Sequence, residues 1–139
     1  MAAGDAHVMN NFKEQLLLKT IDCVNDVFKM ALYSTCPAYP DGAAPAYSAT
    51  NEIAVANYVA GGQALAGKAV AQDDTNDRAS WDANDPAWTS LGAATILGAV
   101  LYDDTTATKW QCIIWEIGTN SNGGNYTLQF AGTGILLLS

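Results

Sequence analysis

The sequence predicts a mainly β protein, an antiparallel β-sandwich with a short N-terminal helix. From Gly61 onward, at least six short apolar or alternating segments follow one another, with turn-forming residues between them. The chain has 139 residues, of which 50% are hydrophobic and 14% are charged, so it can bury a substantial core. We find no repeat, linker or low-complexity tract, and we therefore expect a single sandwich domain over residues 1–139.

Before these strands, the pattern predicts one helix, one strand, a long loop and a second, brief helix. Residues 11–20 place apolar side chains on one face of a helix, within an N-terminal arm that we assign to residues 1–22. Residues 23–34 change to the alternation of a strand. Residues 35–50 hold three of the four prolines and are predicted to form a surface loop, whereas residues 50–58 are predicted to form the brief helix.

The second half of the chain supplies the strands of the predicted sandwich. Residues 95–102 are apolar on both faces, as expected of a strand buried between two layers. Residues 119–125 predict a hairpin loop that returns the chain along residues 126–130. The short polar segment 78–83 is expected to be an edge strand. The remaining predicted strands are residues 63–72, residues 109–118 and the closing "GILLLS".

The charge and the hydropathy of the chain argue against two classes of partner. The formal net charge is −8, with acids concentrated in residues 73–85 and 103–104, and such a surface repels phosphate backbones. The most apolar run, residues 91–102, is shorter than the roughly 18–20 residues of a membrane-spanning helix, and the start lacks the basic region of a signal peptide. We expect a soluble protein made in a cytosol, with no nucleic-acid and no membrane partner.

The stretch "QDDTNDRASWDANDPAW" (72–88) raises the question of a metal site or an acid–base pair. Asp73, Asp74 and Asp77 are close enough in sequence to hold calcium. An EF-hand register that starts at the first of them puts arginine where glycine is required and asparagine where glutamate is required. Paired carboxylates also serve glycosidases, although nothing else in the chain indicates a catalytic cleft. We favour two turns, one on each side of a strand, and predict no metal site.

Other motifs for catalysis or cofactor binding fail on residue type. Residues 62–69 nearly match the phosphate-binding pattern GxxxxGK[ST], but Ala69 stands where a hydroxyl is needed and the chain continues as a strand. His7 is the only histidine, so a Ser–His–Asp or Cys–His arrangement lacks a base in the body of the domain. The cysteines lack metal-binding spacing and are predicted to be free thiols: Cys23, Cys36 and Cys112. We predict no catalytic residue, no cofactor and no enzymatic activity.

Six segments that together span nearly the whole chain indicate a family. They are "NNFKEQLLLKTID", "KMALYS", the Pro/Tyr loop, "ATNEIAVANYVAGGQALAGKAVAQDDTNDRASWDANDPAWTS", "GAVLYDD" and "GILLLS". In this order they resemble a family of small virion structural proteins of tailed bacteriophages. The resemblance implies a β-sandwich or jelly-roll subunit, a capsid decoration (cement) protein on the outer surface of the virion. It also implies the major capsid protein as partner and synthesis in the host bacterial cytoplasm.

Within this resemblance, the alternative is a tail or fibre protein that contacts carbohydrate on the host surface. Trp81 or Trp88 would then stack on a sugar. The other interpretation is that the four tryptophans pack in a core or in an interface. In either role we predict self-association, a trimer in preference to a dimer, through the N-terminal segment or the proline-rich loop. The candidate interface residues are Val8, Met9, Phe12, Tyr39 and Tyr47.

Overall fold

The computed structural model describes residues 6–37 and 46–139. Within these ranges the chain is mainly β, with antiparallel sheets and one short helix, so the predicted fold class is confirmed. No helix in these ranges is long and apolar enough to cross a membrane. The elements are β1 (Ala6–Val8), α1 (Asn10–Leu17), β2 (Phe28–Tyr33), β3 (Gln63–Ala64), β4 (Ala69–Asp73), β5 (Arg78–Asp82), β6 (Ala87–Trp88), β7 (Thr95–Asp103), β8 (Gln111–Asn120), β9 (Tyr126–Thr127) and β10 (Leu136–Leu138).

The larger sheet has five antiparallel strands in the order β1-β8-β7-β2-β3. β7 lies at its centre, paired with β2 from Phe28↔Asp103 to Tyr33↔Gly98 and with β8 on the other side. Side chains on both faces of β7 are buried from residue 98 to residue 103. This agrees with the uninterrupted apolar pattern, which is typical of a strand covered on both faces.

Two smaller sheets complete the fold, and the strand pairing in each differs from the prediction. β5 is the middle strand of the order β10-β5-β4, so the prediction of an edge strand at residues 78–83 is wrong. The closing leucine strand pairs along it, with Leu136 opposite Trp81. The chain also does not return along β8 after residues 119–125, because β7 and β1 occupy both edges of β8. β9 instead pairs with β6.

The first helix and strand are shorter than predicted, each for a local reason. β2 begins only at Phe28, because the Asp22 carboxylate accepts hydrogen bonds from the amides of Val24 and Asn25 (2.9 and 3.0 Å) and fixes a turn. α1 ends before the predicted residue 20, and Lys19 has a φ of +61°. A positive φ is not compatible with continuation of a right-handed helix.

Positive φ angles also interrupt two predicted elements in the middle of the chain. The predicted strand over residues 63–72 is divided into β3 and β4 around Gly67, which has a φ of +67°. The predicted helix over residues 50–58 is wrong. Asn51 and Asn57 have φ angles of +65° and +63°, and the segment forms turns.

The helix, the three-stranded sheet and the larger sheet meet at Trp81. The centroid of its ring lies 4.8 Å from that of Phe28 in β2 and 5.9 Å from that of Phe12 in α1. All three side chains are buried. Aromatic pairs at such distances contribute about 0.5–1.5 kcal/mol beyond the area that they bury. The core is therefore continuous from α1 through β5 to the larger sheet.

Gly62 lies where the chain passes close to β2 on its way into β3. Its φ is +83°, and a Cβ atom added there would lie 2.0 Å from the carbonyl oxygen of Met30. An alanine at this position would therefore combine left-handed strain with a clash against backbone, which cannot move as a side chain can.

We expect Gly62→Ala to lower the free energy of unfolding by about 2–4 kcal/mol, the sum of left-handed strain and overpacking. Gly123→Ala is the matched control, because Gly123 also has a positive φ (+73°) but no atom within 4 Å of an added Cβ. It should cost only about 1 kcal/mol. Urea denaturation of both variants measures the difference, and equal losses would contradict the clash with β2.

Candidate interaction surface

The N-terminal residues that were predicted to contact neighbours belong largely to the chain's own core. Met9 is 3% exposed and Phe12 is fully buried. The segment is not a free arm, because Val8 pairs with Ile113 and the Met9 amide donates a hydrogen bond to the Cys112 carbonyl (2.9 Å). The prediction of Met9 and Phe12 as contact residues is therefore wrong. Val8 is only partly buried, and its contact role stays a prediction.

Of the two loop tyrosines in the prediction, Tyr39 lies outside the described residues and Tyr47 is half-buried. The ring of Tyr47 stacks on that of Tyr102, with centroids 4.3 Å apart. Its hydroxyl donates a hydrogen bond to the Glu52 carboxylate (2.5 Å). Tyr47 thus has partners within its own chain, and a contact with another molecule stays a prediction.

Glu52 is the centre of a polar cluster that the sequence did not indicate. Besides the bond from Tyr47, its carboxylate accepts hydrogen bonds from the Tyr58 hydroxyl (2.5 Å) and the Gly61 amide (2.8 Å). The Tyr58 hydroxyl in turn accepts a hydrogen bond from the amide of Leu32 in β2 (3.0 Å). Burial, together with the adjacent Glu52 carboxylate, raises the pKa of both tyrosines, so both remain donors. The cluster fastens this loop to the larger sheet.

The acidic stretch forms the hairpin between β4 and β5. The Asp73 carboxylate accepts hydrogen bonds from the amide and side chain of Asn76 (3.2 and 2.7 Å) and from Arg78 Nε (3.1 Å). These bonds, the Asn76 side chain foremost, lower the pKa of Asp73. Asp74 and Asp77 are exposed in the same turn. In the part of the chain that the structure describes, no three His, Cys, Asp or Glu side chains are grouped to hold a metal ion.

Neither tryptophan that was considered for sugar stacking presents an open ring. Trp81 is 3% exposed and Trp88 is 6% exposed. Trp81 packs in the core, and the ring of Trp88 stacks on that of Tyr126 with centroids 5.8 Å apart. A stacking platform for a sugar needs an exposed ring face, so this hypothesis is wrong for both residues.

The near phosphate-binding motif and the thiols take part in local structure. Lys68 is followed by β4 instead of a helix, and its ammonium group donates a hydrogen bond to the Asp26 carbonyl (2.5 Å).

All three cysteines are free. Burial raises the pKa of Cys23 to about 11 and the pKa of Cys112 well above its ordinary value. Neither of these two thiols supplies a thiolate near neutral pH.

An apolar cleft opens between α1 and the three-stranded sheet. Two adjoining hollows of about 490 and 290 Å³ share Leu16, Leu17, Leu136 and Leu138 in their walls. Apolar side chains remain in solvent around it, since Leu17 is 89%, Leu138 61% and Val70 55% exposed. We call the surface formed by these five residues the leucine cleft. It is the strongest candidate for contact with another molecule.

The leucine cleft exists because the elements around it are short. α1 has 8 residues, and Leu17 in its last turn stays in solvent. β10 has three residues and pairs with β5, and no described strand lies along its other side. An apolar edge strand beside an exposed leucine is typical of an interaction surface or of an aggregation site.

The leucine cleft is also free of carboxylates. The residues that line its two hollows include one charged side chain, Lys13, and no Asp or Glu. The chain as a whole has 14 acids and a net charge of −8. A partner for this surface should therefore be apolar. The consecutive leucines at 16–18 and 136–138 are the sequence signal for this surface. A helix end or an edge strand exposed to solvent does not require a run of apolar residues for its own stability, so such runs indicate a function.

We compared the chain with models of protein families, with curated proteins and with solved structures, and none of them matches it.

We expect Tyr58→Phe to lower the free energy of unfolding by about 1–3 kcal/mol, because it removes a donor to Glu52 and leaves the Leu32 amide without its acceptor. Tyr126→Phe is the matched control, since Tyr126 is buried by its ring but, among the described residues, makes no hydrogen bond through its hydroxyl. Chemical denaturation should show a much smaller loss for the control. A loss as large as that of Tyr58→Phe would mean that the Glu52 cluster does not fasten the loop.

Proposed function

We propose that this chain is a structural protein of a tailed-bacteriophage virion, a capsid decoration protein that binds the outer surface of the shell of major capsid protein. The observation that carries the proposal is the leucine cleft, an apolar surface without carboxylates on an acidic chain. Burial of apolar surface contributes roughly 25 cal/mol per Å². Binding of a protein that covers this cleft is therefore favourable. The resemblance of the ordered sequence segments to phage virion proteins supplies the kind of partner.

The distribution of charge supports attachment to an assembled shell. A net charge of −8 favours solubility of the chain. No acid lines the leucine cleft, so electrostatic repulsion opposes approach least at that surface. A subunit with these properties adds to a finished lattice, bridges neighbouring capsid subunits and stabilises the shell against the pressure of the packaged DNA.

Association between copies of the chain is part of the same proposal, with a trimer in preference to a dimer. Closed homo-oligomers use the same patch on every copy, so one surface serves all subunits. Of the predicted contact residues, Val8 lies in the wall of the leucine cleft. It is therefore positioned to take part in such a contact.

The first test of the proposal is the amount of the chain in purified particles. We expect particles from cells that carry the gene to contain the chain at a copy number comparable with that of the major capsid protein, as measured by quantitative mass spectrometry. A far lower copy number would assign the chain to the tail or fibre, which is the alternative. Particles without the chain would contradict both roles.

The second test separates the leucine cleft from other exposed apolar residues. We expect Leu17→Lys to abolish binding to undecorated particles, because a charge would replace a side chain that is 89% exposed at the cleft. Val59→Lys is the matched control, since Val59 is 75% exposed and lines a different hollow. Both variants should melt within a few degrees of the parent. If Leu17→Lys still coats the particles as Val59→Lys does, the leucine cleft is not the binding surface.

A further inference from the structure

The carboxyl group of Asp103 is buried at the end of β7, and the residue is 0% exposed. One carboxyl oxygen, Oδ1, accepts hydrogen bonds from the amides of Thr105 (2.8 Å) and Thr106 (3.4 Å). The other oxygen, Oδ2, is buried and receives no hydrogen bond from the N–H or hydroxyl donors of the described residues. The carboxyl of Asp26, in the turn before β2, interacts with the carboxyl of Asp103.

Two carboxyl groups that form a hydrogen bond with each other need a proton between them. Ionised carboxylates only accept hydrogen bonds, and a second negative charge beside a buried carboxylate repels it. A proton on Asp103 or Asp26 supplies the missing donor. Burial, together with the hydrogen bond and charge of Asp26, raises the pKa of Asp103 to about 6, against the opposite effect of the two threonine amides.

The three lysines near this pair contact groups other than its two carboxyls. Lys29 and Lys109 both form ion pairs with Asp104. The Lys68 ammonium binds the backbone carbonyl of Asp26 (2.5 Å). Across residues 6–37 and 46–139, no lysine or arginine forms an ion pair with the carboxyl group of Asp26 or of its partner. No such cation therefore replaces the proton.

The other titratable groups around the pair also leave the proton in place. The thiols of Cys23 and Cys112 have raised pKa values, Asp103 contributes to the rise in each, and both thiols stay neutral. The Asp22 carboxylate accepts hydrogen bonds from the Asn25 side chain and from backbone amides of its own turn, which lower its pKa. Ionisation of the pair is therefore the titration that matters at this place.

The pair lies at a junction between two turns. The Val27 amide donates a hydrogen bond to the Thr105 hydroxyl, and the Asp104 amide donates one to the Val27 carbonyl, both at 2.7 Å. These bonds hold the turn of residues 22–27 against the turn that joins β7 to β8. Cys23, in the first of these turns, lines the leucine cleft. Movement of that turn would therefore change one wall of the cleft.

We propose that Asp26 and Asp103 form a latch that a proton operates. With one shared proton the pair holds the 22–27 turn in place, and loss of the proton loosens the turn and with it this wall of the leucine cleft. The latch acts whatever partner covers the cleft, so it stands independently of the proposed function.

The direction of the pH effect follows from proton binding. In an unfolded chain an aspartate releases its proton near pH 4, whereas folded Asp103 retains it up to about pH 6. Between these values the folded state binds more protons than the unfolded state, so stability falls as the pH rises from about 4 to about 6. Above this window the contribution of the shared proton is lost.

The test is the pH dependence of the melting temperature for the wild type, Asp103→Asn and Asp26→Asn, from about pH 4.5 to about pH 7.5. Asparagine supplies an N–H donor in place of the shared proton, so each variant should melt several degrees above the wild type at the high end. The advantage should nearly vanish at the low end. Asp77→Asn is the matched control, because it removes an exposed carboxylate at a positive φ that asparagine tolerates, and it should follow the wild type.

Two measurements complete the test. In a carbon-13 NMR titration of the wild type, which needs no variant, one carboxyl of the pair should titrate near pH 6. Hydrogen exchange in residues 22–27 should be faster in the wild type than in Asp103→Asn at about pH 7.5, and equal at about pH 4.5. Variants with the pH profile of the wild type, or the absence of a carboxyl that titrates near pH 6, would overturn the shared proton. Unchanged exchange in the turn would overturn its release.

Discussion

The fold depends on the contact between the indole ring of Trp81 and two phenylalanine rings, Phe12 in α1 and Phe28 in β2. A small sheet of short strands gains stability by packing a hydrophobic face against other elements, so this contact fixes where β10, β5 and β4 lie. The backbone of the same residue holds the closing strand, because the Trp81 carbonyl accepts a hydrogen bond from the Ile135 amide (2.7 Å). One residue therefore anchors the small sheet and also places β10 beside α1.

The leucine cleft is a consequence of that arrangement. Trp81 draws the helix and the small sheet together at one point, but both elements are too short to cover each other beyond it. Leu17 and Leu138 are left in solvent. Negative charge is distributed in the opposite way, since none of the acids lines the cleft. An exposed apolar surface without acids, on a chain that is otherwise acidic, is the arrangement expected of a subunit that joins an assembly.

Local patterns in the sequence predicted the long strands but not which strands pair with one another. The apolar run that became β7 and the alternation that became β8 follow from side-chain periodicity, which is a property of a few adjacent residues. The position of β5 in the middle of a sheet depends on β10, more than fifty residues later, and no local pattern encodes that pairing. For the same reason the sequence predicts Met9 and Phe12 as contact residues, although both are buried. Their apolar character is visible in the sequence, whereas the strand and the indole ring that cover them are not.

Carboxylates show most clearly what the sequence could not supply. Asp22 and Asp73 accept hydrogen bonds from neighbours within five residues, and their pKa values are lowered, as the turn-forming pattern of Asp and Asn predicts. Asp103 accepts similar bonds from the amides that follow it, yet its pKa is raised. The difference is burial beside Asp26, a residue brought close only by the pairing of β2 with β7. An aspartate thus becomes a turn former or a proton holder according to the strand that packs beside it. The chemistry of this chain therefore resides in contacts made by its topology.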